Sequence, residues 1–256
     1  MGYKNEYLPT KCWFENEQLH RAFFEYETDC FDSPREWDNM GIIVNASKYN
    51  LCGHNDEECN DIEDWLIRET GIDENWYYNN KKRYGGIDGL INKFIKEKCI
   101  AFQFISVYDH SGISVSCGLS YGWDYSQVGF IYVPKDNNEI KTYRKSHSIA
   151  ETKEYANKII KGEIDILSDY FQGNVYCAIH EVYDEESGEW EVVDTLGDIY
   201  LTADTFNQEK EYALEYIKEY SRENKLYDWN VIEDAIDNNT LDVLQGQRVF
   251  EFMEIA

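Results

Sequence analysis

The sequence predicts an α+β fold with a largely antiparallel sheet and peripheral helices. Three observations carry this expectation. β-rich runs cluster without regular βαβ alternation, two pairs of runs flank short turn sequences as hairpins do, and helical periodicity is confined to separate stretches.

From the N-terminus, Ala22-Phe23-Phe24-Glu25-Tyr26-Glu27 reads as a strand, and Ser33 to Asn39 as a loop in which Pro34 pre-sets a turn. Gly41-Ile42-Ile43-Val44 is a short buried strand. Asp61 stands where a capping carboxylate belongs, before apolar residues at helical spacing through Arg68. Ile87, Leu90, Ile91, Phe94 and Ile95 line one face of an amphipathic helix, with Lys93, Lys96 and Lys98 suited to its C-terminal dipole. Ile100–Tyr108 and Ile113–Ser116 form a hairpin across Asp109-His110-Ser111-Gly112, and Val128–Val133 is a strand stopped by Pro134. A helix from about Ile149 to Lys161 and a second from Glu163 to Phe171 are expected on either side of Gly162, the second ended by Gly173. Val175–Tyr183 and Trp190–Val193 pair across Glu186-Ser187-Gly188. Helices over 206–223 and Trp229–Ile236 and a closing strand, Arg248–Met253, complete the chain.

No repeat or Pro/Gly/Ser-rich linker marks a boundary, so pattern alone divides the chain into an acidic irregular region at 1–80, an α+β core with hairpins at 81–205, and C-terminal helices with a closing strand at 206–256, within one compact domain. The formal charge is −26, with 18 acidic and 6 basic side chains in residues 1–80, 8 and 12 in 81–160, and 24 and 6 in 161–256. Two acidic arms thus flank a weakly basic middle. Such an excess disfavours nucleic acid and anionic membranes as partners and favours a cationic one. Salt adaptation fits less well, because Lys outnumbers Arg by 17 to 7. No apolar run is long enough to cross a bilayer or serve as a signal peptide, and seven scattered cysteines suit free thiols; both point to the cytoplasm, without disulfides.

Candidate chemistry is sparse. Asp109 and His110 sit in a turn with Cys117 nearby, and a histidine reaching Cys117 would activate it as a nucleophile. The plainer reading is a turn whose polar side chains bond their own backbone. Cys52, His54 and Cys59 place three soft ligands within eight positions, but without the usual zinc spacing or a fourth ligand, so a solvated acidic loop is the better reading. No phosphate loop, nucleophile elbow or zinc-protease helix is present, and no cofactor is expected.

Asp32-Ser33-Pro34-Arg35-Glu36-Trp37-Asp38-Asn39-Met40-Gly41, then Tyr108-Asp109-His110-Ser111-Gly112-Ile113 with Trp123-Asp124 and Ser126–Val133, then Gly173-Asn174-Val175-Tyr176 occur in that order. Together they resemble a group of uncharacterised proteins carried by phages and mobile elements of bacteria and archaea. The chain departs from that group after the late hairpin, where a Cys-Trp-Gly-Phe-type ending is replaced by Asp194 to Tyr200. The resemblance implies a setting, since phage accessory proteins often disable host defence, and it implies no reaction.

Charge and setting together lead to an expected function as an inhibitor of a host nucleic-acid-dependent defence system, anti-CRISPR or anti-restriction, that competes for a basic groove. At about one charge per 1.7 Å of duplex, 26 charges correspond to roughly 44 Å, near the ~45–50 Å diameter of a compact chain of this length. Glu57, Glu58, Asp61, Asp64, Asp184, Glu185 and Glu186 are the expected contacts, with Trp65 or Trp190 as aromatic anchors. The alternatives are a cysteine/histidine-type hydrolase or nucleotide-processing enzyme built on Asp109, His110 and Cys117, and a phage regulatory or structural module that binds a protein without mimicking nucleic acid.

Overall fold

The computed structural model describes residues 3–4, 7–28, 32–203, 205–222 and 224–245. It has a mixed α+β fold, as expected, with two separate sheets. The chain divides into two compact units, one made of Met1–Phe31 with Gly173–Ala256 and the other of Asp32–Gln172. These units cut across the three segments read from pattern. The first unit begins with β1 (Tyr3–Lys4), β2 (Lys11–Glu15) and β3 (Gln18–Tyr26). β2 and β3 are joined by Asn16 and Glu17, both at positive φ (50° and 66°), which is the geometry of a two-residue turn matched to strand twist.

The second unit runs through a 3₁₀ turn at Pro34–Glu36, β4 (Ile42–Asn45), β5 (Glu57–Glu58), α1 (Ile62–Thr70), α2 (Glu74–Tyr84), α3 (Gly86–Lys98), β6 (Cys99–Asp109), β7 (Ile113–Cys117), β8 (Tyr125–Pro134), α4 (Asn138–Tyr143) and α5 (Ile149–Gln172). Its sheet has the order β5-β4-β8-β6-β7, antiparallel except where β5 joins β4. Both faces are covered, which explains why successive residues of β4 and β8 are apolar. Ile43, Ile131 and Val133 pack with Ala156, Ile160, Ile164 and Leu167 of α5. Val44, Phe130 and Tyr132 pack with Trp65 and Leu66 of α1 and Leu90 and Phe94 of α3. The break expected at Gly162 does not occur, and α5 is one helix of 24 residues. A Cβ at Gly162 would meet nothing within 4 Å. This open position costs a helix only about 1 kcal/mol, and the buried apolar stripe on either side of it outweighs that cost.

Back in the first unit come β9 (Val175–Asp184), β10 (Glu189–Tyr200), α6 (Phe206–Ser221), β11 (Tyr227–Asp228) and α7 (Trp229–Asp237). The sheet is antiparallel throughout, with the order β10-β9-β3-β2-β11 and β1 on β3. Alternation along β3 and β9 sends Ala22, Phe24, Tyr176 and Ala178 toward Ala213 and Ile217 of α6. Cys12, Phe14 and Leu19 pack on Ile232 of α7 on the other face. The expected strand Arg248–Met253 lies outside the described residues. Among those described, no helix is long and apolar enough to cross a membrane.

Candidate functional site

The turn between β6 and β7 does not assemble a catalytic group. Asp109 accepts a hydrogen bond from the Tyr49 hydroxyl at 2.8 Å, and that bond raises the Tyr49 pKa. His110 is exposed, with Nδ1 3.6 Å from Asp124 Oδ2. Cys117 pairs with Ile105 at the far end of β7, four residues beyond Ile113 where the turn closes, a separation of about 13 Å at the rise of a strand. Burial, then Asp165, pushes its thiol up to about 11. Neither position nor thiolate content suits a nucleophile activated by His110.

The three soft ligands of the acidic loop are likewise engaged separately. The Cys52 thiol donates to the Glu57 carbonyl at 3.6 Å and is pushed up to about 12 by burial, with Asp56 and Glu58 adding to it. His54 is exposed, 3.4 Å from Glu36. Burial and then Asp61 raise the Cys59 thiol. Among the described residues no three metal-ligating side chains converge.

The stretch Asp32–Gly41 has a structural role that sequence reasoning did not anticipate. Arg35 is 1% exposed. Its guanidinium donates to both Asp56 oxygens (2.9 and 2.7 Å), to Glu163 of α5 (2.8 Å) and to the Gly41 carbonyl (2.7 Å). Glu163 also accepts from the Met40 and Gly41 amides, and Asp56 from those of Ile43 and Gly53. The remaining acceptor positions are thus filled, as a buried ion network requires. Ser33, Pro34 and Asn39 shape the turn that delivers Arg35.

The seven expected contact carboxylates belong to two units. Glu57, Glu58, Asp61 and Asp64 lie in Asp32–Gln172, and three of them have internal partners. Glu57 accepts from Trp65 Nε1 at 2.7 Å, Asp61 caps α1 through the Glu63 and Asp64 amides, and Asp64 accepts from the Tyr78 hydroxyl at 2.8 Å. Glu58 is exposed. Trp65 is buried between Phe94 and Phe130, so it cannot anchor a partner. Trp190 is held between Tyr183 and Trp229 with Arg21 over its ring, and Arg21 is ion-paired to Glu181. Among the described residues, Tyr121 and Trp123 are far more exposed, at 86% and 104%.

Asp184, Glu185 and Glu186 occupy the tip of the β9–β10 hairpin. Hydrogen bonds from Ser187 and the Glu186 amide hold the Asp184 carboxyl below its usual range, while Glu185 and Glu186 project into solvent. The acidity continues beyond the tip. β10 is an edge strand, exposed over most of its length, and carries Glu189, Glu191, Asp194 and Asp198. No Lys or Arg occurs between Lys161 and Lys210. The first unit holds 27 acidic and 8 basic residues, a net −19, against 23 and 16, a net −7, in the second.

Behind this hairpin lies a pocket of about 450 Å³. His180 and Asp194, which face each other across β9 and β10, line it, and they belong to a cross-strand row that continues into the core, where His20 is diagonal to His180 and Trp13 faces His20. His20 Nδ1 is 3.0 Å from His180 Nε2, and the Trp13 ring stacks on both imidazoles. Burial, then the neighbouring His20, lowers the His180 pKa. Tyr216, Glu219, Tyr220 and Arg222 from the end of α6, Glu15 from β2, and Asp194 and Leu196 from β10 form the walls. The sequence hid this group, since His20 and His180 are 160 positions apart and each sits within an apolar strand run.

Compared with family models, curated proteins and solved structures, the chain matches none of them.

Proposed function

We propose that this protein is a phage-encoded inhibitor of a host nucleic-acid-dependent defence complex, of the anti-CRISPR or anti-restriction kind. It would act in the host cytoplasm through an acidic surface that competes for a basic groove. The observation that carries this reading is the β9–β10 hairpin. Glu185 and Glu186 at its tip and Glu189, Glu191, Asp194 and Asp198 along an exposed edge strand stand in a stretch without a single basic residue.

A strand advances about 3.4 Å per residue, which is also the rise between phosphates along one strand of duplex DNA. Four carboxylates over the ten residues from Glu189 to Asp198 therefore offer a Lys/Arg-lined groove about two-fifths of the linear charge density of a nucleic-acid strand. That density suffices to displace counterions and steer association, and it makes the interaction salt-dependent. The enzyme reading draws no support from the separated His110 and Cys117.

Competition measured on purified effectors tests the proposal. Fluorescently labelled DNA bound to a CRISPR surveillance complex or a restriction enzyme is titrated with the protein at low and high salt. The expected result is displacement from one effector class that weakens as salt rises. Displacement from none, or displacement indifferent to salt, contradicts it.

A further inference from the structure

The pocket behind the acidic hairpin combines features that select a particular ligand chemistry. Three carboxylates from three elements line it, Glu15 from β2, Asp194 from β10 and Glu219 from α6, set around the wall rather than drawn together into a metal-type cluster. Tyr216 and Tyr220, one helical turn apart, present phenol rings from the same helix face. Among the described lining residues Arg222 is the one Lys or Arg, against three carboxylates. Burial, then the neighbouring His20, opposes protonation of His180. The volume, about 450 Å³, lies within the range of about 300–1,000 Å³ that takes small organic groups.

Carboxylates beside aromatic faces favour a cation that has both hydrogen-bond donors and an apolar stem. The donors form charge-assisted bonds, the rings attract the positive charge through their π faces, and Leu196 meets the stem. A phosphate, nucleotide or carboxylate ligand would instead face three like charges. We infer that this pocket receives an alkyl guanidinium or ammonium group, supplied by an Arg or Lys side chain of the partner's basic surface. This rests on the reading of the hairpin as the partner-binding surface and identifies the anchor beside it. Asp194 belongs to both, exposed on the edge strand and lining the pocket.

The test uses the intact protein and two small probes, N-acetyl-arginine methylamide and its citrulline counterpart, which is neutral and nearly isosteric. Binding is followed by the NMR signals of His180 and Tyr220 and by tryptophan fluorescence. The expected result is saturable binding of the arginine probe and none of the citrulline probe. The paired substitution Asp194→Asn with Glu219→Gln should weaken arginine binding at least about tenfold, and Tyr220→Leu about five- to tenfold. Glu185→Gln with Glu186→Gln, at the hairpin tip outside the pocket, should leave it within about twofold. Equal binding of both probes, or full affinity in the Asp194→Asn/Glu219→Gln protein with its circular dichroism unchanged, overturns the assignment. The two readings fail separately. If the arginine probe does not bind while hairpin charge reversal still abolishes inhibition, the pocket assignment alone falls. If the probe binds as expected while charge reversal leaves inhibition intact, the hairpin reading falls.

Discussion

His20 Nδ1 and His180 Nε2 lie 3.0 Å apart on neighbouring strands, so one ring nitrogen donates and the other accepts. The parallel indole of Trp13 closes one side of the pair, and His180 faces Asp194 across the next strand, with Glu15 and Tyr220 also lining its surroundings. Charging His180 would bury a positive ring in this part-buried site beside a second imidazole, which is why its pKa is lowered.

The first prediction follows from this. His180 has a folded-state pKa below its ordinary value of 6.5. The unfolded chain therefore binds a proton in a range where the folded one resists it, so stability is full above about 6.5 and falls as pH drops through the folded value. Urea unfolding between pH 7.5 and 5 should show that loss, and His180→Asn should flatten it. An NMR titration of His180 with a midpoint at or above 6.5 contradicts the assignment.

Arg35 makes the second prediction. Removing one partner of a buried, fully bonded ion network leaves uncompensated charge, so Arg35→Ala or Asp56→Ala should destabilise the protein by about 3–5 kcal/mol. Arg35→Lys should recover only part of this, because an ammonium cannot reproduce the two-pronged contact with Asp56 and the bond to Glu163 together. Equilibrium denaturation of the three variants checks both statements.

Gly129 faces Asn45 where β8 crosses β4, and a Cβ there would lie 1.9 Å from the Val44 carbonyl oxygen. That oxygen is backbone in a strand packed on both faces and cannot withdraw. Gly129→Ala should therefore cost about 3 kcal/mol or more, at or beyond the upper end of ordinary overpacking. Gly162→Ala, on the open side of α5, should instead stabilise by about 1 kcal/mol.

Cys117 distinguishes the enzyme alternative. A thiol raised from 9.0 to about 11 holds about a hundredfold less thiolate at neutral pH than an ordinary one. Alkylation by iodoacetamide at pH 7.5 should be slower by about that factor than for an unstructured cysteine peptide, and Cys117→Ser or His110→Ala should leave defence inhibition unchanged. Rapid alkylation, or loss of inhibition with binding retained, would restore a catalytic role.

Much of the fold was legible because its signals are local. Asp61 caps α1 as its spacing implied, Leu90, Ile91 and Phe94 of the expected apolar face of α3 pack inward while Ile87 stays exposed, and the β9–β10 turn carries Gly188 at positive φ. The elements missed lack such signals. β2 enters a turn whose second residue is Glu17 where glycine is usual, and the two-residue strand β11 exists only because Tyr227 pairs with Cys12. α2 is mostly polar, and only Tyr77 of its residues is buried. Gly162 misled because a glycine on a solvent face looks the same in sequence as one that ends a helix. The acidic character of the hairpin was legible as composition. The buried role of Trp65, the ion network of Arg35 and the meeting of His20 with His180 depend on long-range pairing that no local pattern encodes.

The central claim is that carboxylates of the β9–β10 hairpin compete for a basic groove. It is tested most directly by reversing Glu185, Glu186, Glu189 and Glu191 to Lys and measuring phage plaquing on bacterial strains that each carry one CRISPR or restriction system and express either protein. The parent chain should raise plaquing on the strains whose defence it blocks. The reversed chain, folded by circular dichroism, should return plaquing to the level without inhibitor. Undiminished protection of the phage by the reversed chain would contradict the account.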